Sequence, residues 1–171
     1  MGSKPATASS VASIARIEDD GWKGGEVKLL DIGRVLPNPL NPRGEIVPET
    51  CEELAQSMRG TGSILQPLLV TPYRSAYYIV AGHRRRVAAG LAGLTKVPAI
   101  VRDIPEHEQL AIMLVENMQR EGLSPLAEAR SFEKLVKDYG GINQAARVTG
   151  VPSASIKNRL LLLRCDSTAA N

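Results

Sequence analysis

The sequence predicts an α+β protein in two parts, a small mixed-sheet domain followed by an all-helical domain that carries a helix-turn-helix. Three observations lead there. Short β-branched runs alternate with helical periodicities as far as about residue 103. From Pro105 onward the apolar patterns all have the helical period. Near the end, INQAARVTGVPSASIKNRLLLL (142–163) has the layout of two helices joined at a glycine.

Each element has its own local signal. The first residues are rich in Ser, Ala and Thr without apolar periodicity, which predicts a disordered leader over 1–25. Glu26 to Leu30 alternates as a strand, and LPNPLNPRGE (36–45) reads as a loop stiffened by proline. Pro48-Glu49-Thr50 opens a helix through Arg59 with Leu54, Ala55 and Met58 on one face, stopped by Gly60 and Gly62. Pro67 to Thr71 and Ala76 to Val80 form a hairpin. A helix from His83 presents Val87, Ala88, Leu91 and Ala92 to a core, and Val97 to Val101 returns as a strand, closing a domain over 26–103. Helices over 106–120, 124–139, 143–149 and 153–164 build a second domain over 104–165, the second helix begun by Ser124-Pro125, with a tail at 166–171.

Composition narrows the classes of function. The chain has 171 residues, a formal net charge of +3 and a pI near 9.0, which permits a nucleic-acid partner without demanding one. No run has the length to span a membrane, so a soluble, cytoplasmic protein is expected. Cys51 and Cys165 stand far apart without companion ligands, and neither a zinc site nor a disulfide framework is expected.

The chemistry concentrates in two stretches. A strand runs into Gly82, and a helix starts at once with His83-Arg84-Arg85-Arg86. A helix N-terminus offers unpaired N–H groups and a positive dipole end, and guanidinium forks match phosphate oxygens, so a polyphosphate is the natural guest. The plainer reading is a solvated charged face. The preceding glycine, the strand-to-helix turn and the small Ala88, Ala89 and Gly90 favour the phosphate. Neither G-x-x-x-x-G-K-[ST] nor G-x-G-x-x-G is present, so the cradle is of another kind. Glu116 and Asn117 offer oxygen ligands suited to a hydrated magnesium ion, or else form the polar face of a helix whose core stripe is Leu110, Met113 and Leu114. Arg120, four residues after Glu116, is either its ion-pair partner or a phosphate contact.

In the helix-turn-helix, Ala146 allows a close crossing, Gly150 supplies the turn, Val151 and Ile156 fill the small core, and Ser153 is an N-cap. Ser153, Ala154, Ser155, Lys157 and Asn158 then face a major groove, with Gln144 and Arg159 as further DNA-binding candidates. A purely structural helix pair is the competing reading.

Read in order, NPLNPR (38–43), GSILQPLLV (62–70), IVAGHRRRVAAGLAGLTKVPAIV (79–101), ENMQREGLSPLAEA (116–129) and the helix-turn-helix resemble the ParB family of DNA-segregation proteins over residues 27–164. The resemblance implies a ParB/sulfiredoxin-like N-terminal domain and a clamp dependent on CTP and Mg that loads on double-stranded DNA at a centromere-like site. It implies that Arg43, Gly62 and Gln66 border the nucleotide and that Gly82, His83, Arg84 and Arg85 lie at the phosphates. Glu116 and Asn117 would carry the magnesium, and Arg120 would help close the site. It further implies self-association of N-terminal domains on nucleotide binding, a Walker-type ParA ATPase as partner, and association with the nucleoid.

Three departures qualify it. Gly82-His83-Arg84-Arg85 stands where G-E-R-R is usual, so an acid associated with hydrolysis is an imidazole and CTPase activity is expected to be weak or absent. Asn41 stands where a glutamine is usual. The second helix of the motif begins Pro152-Ser153-Ala154-Ser155, without an arginine, which is worth about 1–3 kcal/mol of base discrimination. That predicts a DNA site other than the usual chromosomal one and a plasmid or mobile-element role. The chain also stops where the family normally continues into a dimerisation domain, and is expected to be truncated or minimal. The alternatives are a transcriptional repressor or assembly module without nucleotide switching, and two enzyme classes that fit poorly. Gly82 replaces the reactive cysteine of sulfiredoxin, and a nuclease wants more carboxylates than Glu116.

Overall fold

In a computed structural model, which describes residues 26–42, 44, 46–119 and 123–169, one compact unit ends at Ile104 and another begins at Pro105. The predicted leader, Arg43 and Arg120 lie outside the described residues. The architecture is α+β.

The first unit is a five-stranded mixed sheet of β1 (Val27–Asp31), β2 (Val35–Leu36), β3 (Leu68–Tyr73), β4 (Ala76–Ala81) and β5 (Lys96–Val101), in the order β1-β5-β3-β4-β2. β1 runs antiparallel to β5 and β4 antiparallel to β3, whereas β5 is parallel to β3 and β2 to β4. The register slips between Leu69 and Val70, where one step along β3 faces two along β4 (Ala81, then Ile79). Such a bulge bends a strand and re-aims the residues beyond it. Here the bend falls at the end of β4, and Gly82 is the next residue of the chain.

Helices α1 (Glu52–Thr61) and α2 (His83–Leu91) pack together on a core that includes Ala55, Met58, Leu68, Val70, Ile79, Ala88, Ala89 and Val97. Several expectations shift by a residue or more. The first strand is Val27–Asp31, with Leu30 as its buried member. Pro48 opens a 3-10 turn, Pro48–Cys51, and the α-helix starts only at Glu52. Gly60 lies inside α1; Gly62 alone ends it, at φ 68°, its N–H bonded to Met58 O at 2.8 Å. On α2, Ala88 and Ala89 are buried and Val87 and Ala92 pack against the core half-buried, while Leu91 is 37% exposed. β2 and the 3-10 turn before it (Ile32–Arg34) were not expected, since a two-residue strand leaves no period to read.

The second unit holds α3 (Glu106–Gln119), α4 (Pro125–Tyr139), α5 (Ile142–Thr149) and α6 (Ser153–Ala169). Ser124 caps α4 by accepting from Ala127 N at 3.2 Å, and Gly140 ends it at φ 77°. Phe132, Leu135, Leu114, Val148 and Ile156 are fully or almost fully buried. Lys134 on α4 pairs with Glu106 on α3 at 3.1 Å. No helix among the described residues is long and apolar enough to cross a membrane.

Candidate nucleotide and nucleic-acid sites

The strand-to-helix corner is built on one residue. Gly82 is buried and holds φ 98°, ψ 24°, a left-handed conformation that costs an L-residue energy and glycine nothing. A Cβ there would also lie 2.7 Å from Leu68 Cδ2 and 3.2 Å from the Arg85 guanidinium. No side chain among the described residues caps α2, which leaves its first turn to offer N–H groups to a ligand or water. The first helical bond, Arg86 N to Gly82 O, is 3.0 Å.

The three arginines are anchored to backbone rather than splayed. Arg85 Nη1 donates to Gln66 O at 2.7 Å and to Pro67 O at 2.6 Å. Arg84 Nη2 donates to Thr50 O at 2.6 Å, at the turn that opens α1. Arg86 Nε donates to Val35 O at 3.2 Å. These bonds fix the three guanidinium forks in place at the corner. Gly82, Arg84, Arg85 and Gln66 thus belong to one corner of the sheet unit, Gln66 through its backbone carbonyl, whereas no contact links Gly62 to it among the described residues.

His83 faces a cavity of about 490 Å³ lined in part by Asn38, Asn41, Ile46, Ile79 and Arg86. Its Nε2 is buried without a hydrogen-bond partner, and burial lowers the imidazole pKa from 6.5 to about 4, so the ring is neutral at physiological pH. The opposite wall is shaped by its own asparagines. Asn38 Oδ1 accepts from Leu40 N at 2.9 Å and Asn41 Nδ2 donates to Gly44 O at 3.2 Å. Asn38 was not given a role from the sequence, although the Asn-Pro pairs of the loop were an available signal; Arg86, the last of the arginine run, lines this cavity.

Glu116 and Asn117 are half-buried on α3, in the helical unit. Asn117 Nδ2 donates to Met113 O at 2.7 Å, which engages the amide nitrogen within the helix. A carboxylate and an amide oxygen are donor types that a hydrated magnesium ion accepts.

The helix-turn-helix is drawn tight by side chains. Thr149 Oγ1 donates to Ala145 O at 2.8 Å and accepts from Val151 N at 3.3 Å, across a turn at Gly150 with φ 72°. Ala145, not Ala146, is the fully buried small residue, and Ser153 is not an N-cap: it lies inside α6 and donates to Asn143 Oδ1 at 3.2 Å. Gln144, Ser155, Lys157 and Asn158 are exposed. Arg159 has an internal partner, its Nε donating to Glu128 Oε2 at 2.6 Å, and that carboxylate is only 11% exposed.

The model of the ParB N-terminal domain matches residues 17–118, more than half of the chain. The chain belongs to the ParB family. The chromosome-partitioning protein Spo0J of Thermus thermophilus is 43% identical over 146 residues, 85% of this chain and 54% of the relative. The probable chromosome 1-partitioning protein ParB of Deinococcus radiodurans is 45% identical over 142 residues, 82% and 48%. The chain therefore spans about half the length of these curated relatives. Among solved structures, C-terminally truncated ParB of Caulobacter crescentus is similar twice. Complexed with CTP-γ-S it has 35% identity and a TM-score of 0.51 over 82% of this chain and 79% of that one. Complexed to the centromeric parS site it has 34% identity and a TM-score of 0.61 over 80% and 71%. His83 and Asn41, two of the three positions at which the sequence was expected to depart from the family pattern, line the same cavity.

Proposed function

We propose that this chain is the nucleotide-gated, DNA-binding portion of a partition protein, taking CTP with magnesium at the start of α2 and duplex DNA with a centromere-like site at α5 and α6. The observation that carries the reading is the Gly82 corner, an uncapped helix start with guanidinium forks fixed beside it. Likeness to a ParB complexed with CTP-γ-S and to one complexed with parS supports both ligands. The two relatives from Thermus and Deinococcus are chromosomal, which favours a chromosomal role over a plasmid one.

The N–H groups after Gly82, with Arg84 and Arg85, hold phosphate oxygens. Arg85 is bonded to the carbonyls of Gln66 and Pro67, so phosphate contact is coupled to the 62–67 segment that would border the base. Glu116 and Asn117 would hold magnesium, which when bound neutralises phosphate charge. Arg43 and Arg120 join this set by resemblance alone. A neutral His83 is a poor substitute for a carboxylate base, so hydrolysis is weak or absent and the nucleotide acts as a switch. Its output is self-association of sheet units around DNA, with a ParA-type ATPase as motor partner and the nucleoid as location.

Calorimetric titration with CTP, ATP, GTP and UTP in magnesium tests this. The expected result is binding of CTP alone, lost in Glu116→Ala. No binding of any nucleotide, with DNA present, overturns the switch and leaves a DNA-binding repressor or assembly module.

A further inference from the structure

Three of the four tyrosines of the chain lie on the β3–β4 hairpin, which no part of the proposed nucleotide or helix-turn-helix sites uses. Tyr73 and Tyr78 stack with centroids 4.2 Å apart. The Arg74 guanidinium lies over the Tyr73 ring at 5.4 Å, and that of Arg34, arriving from the turn before β2, lies over Tyr77 at 5.5 Å. Arg34 is held further by a 2.9 Å bond from Nε to Ser75 O at the hairpin tip.

Both arginines are exposed, and neither has a carboxylate partner among the described residues. Asp31, three residues before Arg34, turns its carboxylate to Gly33 N at 2.8 Å instead. Arg74 is also the one described non-glycine residue with positive φ, 52°, at a turn position that glycine or asparagine fills more comfortably. Backbone strain of this kind persists where the surroundings impose it and gathers at functional sites.

We infer that the β3–β4 hairpin is a second, sequence-independent contact for duplex DNA, in which Arg34 and Arg74 bind backbone phosphates. The inference rests on the DNA-binding reading and adds to it a surface on the sheet unit. Stacking fixes the two guanidiniums without neutralising them, and a fixed fork suits phosphate oxygens. Tyr73 and Tyr78 stack on one another and an arginine lies over Tyr73 and over Tyr77, which takes up part of the ring surface that an unstacked base or an apolar partner would use. Fixed, unneutralised charge suits the repeating phosphates of a duplex.

The test uses the whole chain and a labelled duplex of about 30 base pairs and arbitrary sequence, with affinity measured by anisotropy across a salt series. Each phosphate contact contributes roughly 0.9 to the slope of log affinity against log salt, so Arg34→Gln with Arg74→Gly should lower its magnitude by about 2. Glycine relieves the positive φ at position 74, so the melting temperature should hold or rise, opposite to a merely structural role. Arg34→Lys with Arg74→Lys keeps the charge and should restore the slope. An unchanged slope in the neutral variant, with the wild-type chain binding duplex, overturns the hairpin contact and leaves the helix-turn-helix reading standing. A wild-type chain that binds no duplex overturns both. Loss of binding to poly-glutamate with duplex affinity intact also overturns the inference, in favour of an acidic protein partner.

Discussion

The Gly82 corner and the outer face of α6 both offer donors to an anionic partner, but they hold them in opposite ways. At the corner each arginine is tied to a backbone carbonyl contributed by a different segment: Thr50 for Arg84, Gln66 and Pro67 for Arg85, Val35 for Arg86. On α6, Ser155, Lys157 and Asn158 stand in solvent. A site fixed in advance suits one small ligand of fixed shape, since little ordering remains to be done on binding. Side chains ordered only by their partner suit DNA, which presents an extended surface and brings water with it. Substitutions at the corner should therefore move stability and ligand affinity together, and substitutions on α6 should separate them.

The largest effect is expected from His83. Its imidazole titrates at about 4 in the fold against 6.5 when free, so below pH 6.5 the unfolded chain takes up a proton that the folded chain refuses. The stability linked to the neutral ring is intact above pH 6.5 and is lost as pH falls toward 4, to an extent of about 3 kcal/mol. Urea unfolding at pH 7.5 and pH 4 should show this loss in the wild-type chain and not in His83→Gln. A parallel decline in the two would place the acid sensitivity elsewhere.

Next comes Gly82→Ala, which meets both the positive φ and the contact with Leu68. It should cost about 2 kcal/mol, lower the melting temperature by several degrees and weaken CTP binding with it. Retained stability with lost nucleotide would mean that the corner is not preset.

Arg159→Ala probes the exception on the other side. Removing Arg159 leaves Glu128 buried and unpaired, at about 1–2 kcal/mol. Thermal melting should detect it without DNA present, and an unchanged melting temperature would return Arg159 to the DNA face alone. The smallest effect is expected from Lys157→Ala, which should leave melting unchanged and lower affinity a few-fold for any duplex sequence.

Local chemistry carried the legible part of this molecule. Glycines at forced positive φ, the Ser124-Pro125 helix start and the 2.0 and 3.6 periods are written in neighbouring residues, so the α+β division and most elements could be read directly. The misses are tertiary. β2 exists only because two residues find β4, and the buried face of α2 turned by a residue toward Ala89. The internal partners of Arg159 and Ser153, Glu128 and Asn143, are not legible locally because they lie 31 and 10 residues away. The same holds for the arginine run, in which guanidiniums that composition marks as phosphate ligands also stitch three segments together.

The strand order carries a consequence for biosynthesis. β1, the first strand among the described residues, pairs only with β5, the last strand of this sheet, across Val27↔Ile100 to Asp31↔Lys96. No local hairpin shelters β1 in the meantime, and pairing across so long a chain closes slowly. On the ribosome the sheet unit stays open at that edge until Val101 has emerged, whereas the β3–β4 hairpin assembles early from adjacent residues. The last event in folding this unit is therefore the capture of its own beginning.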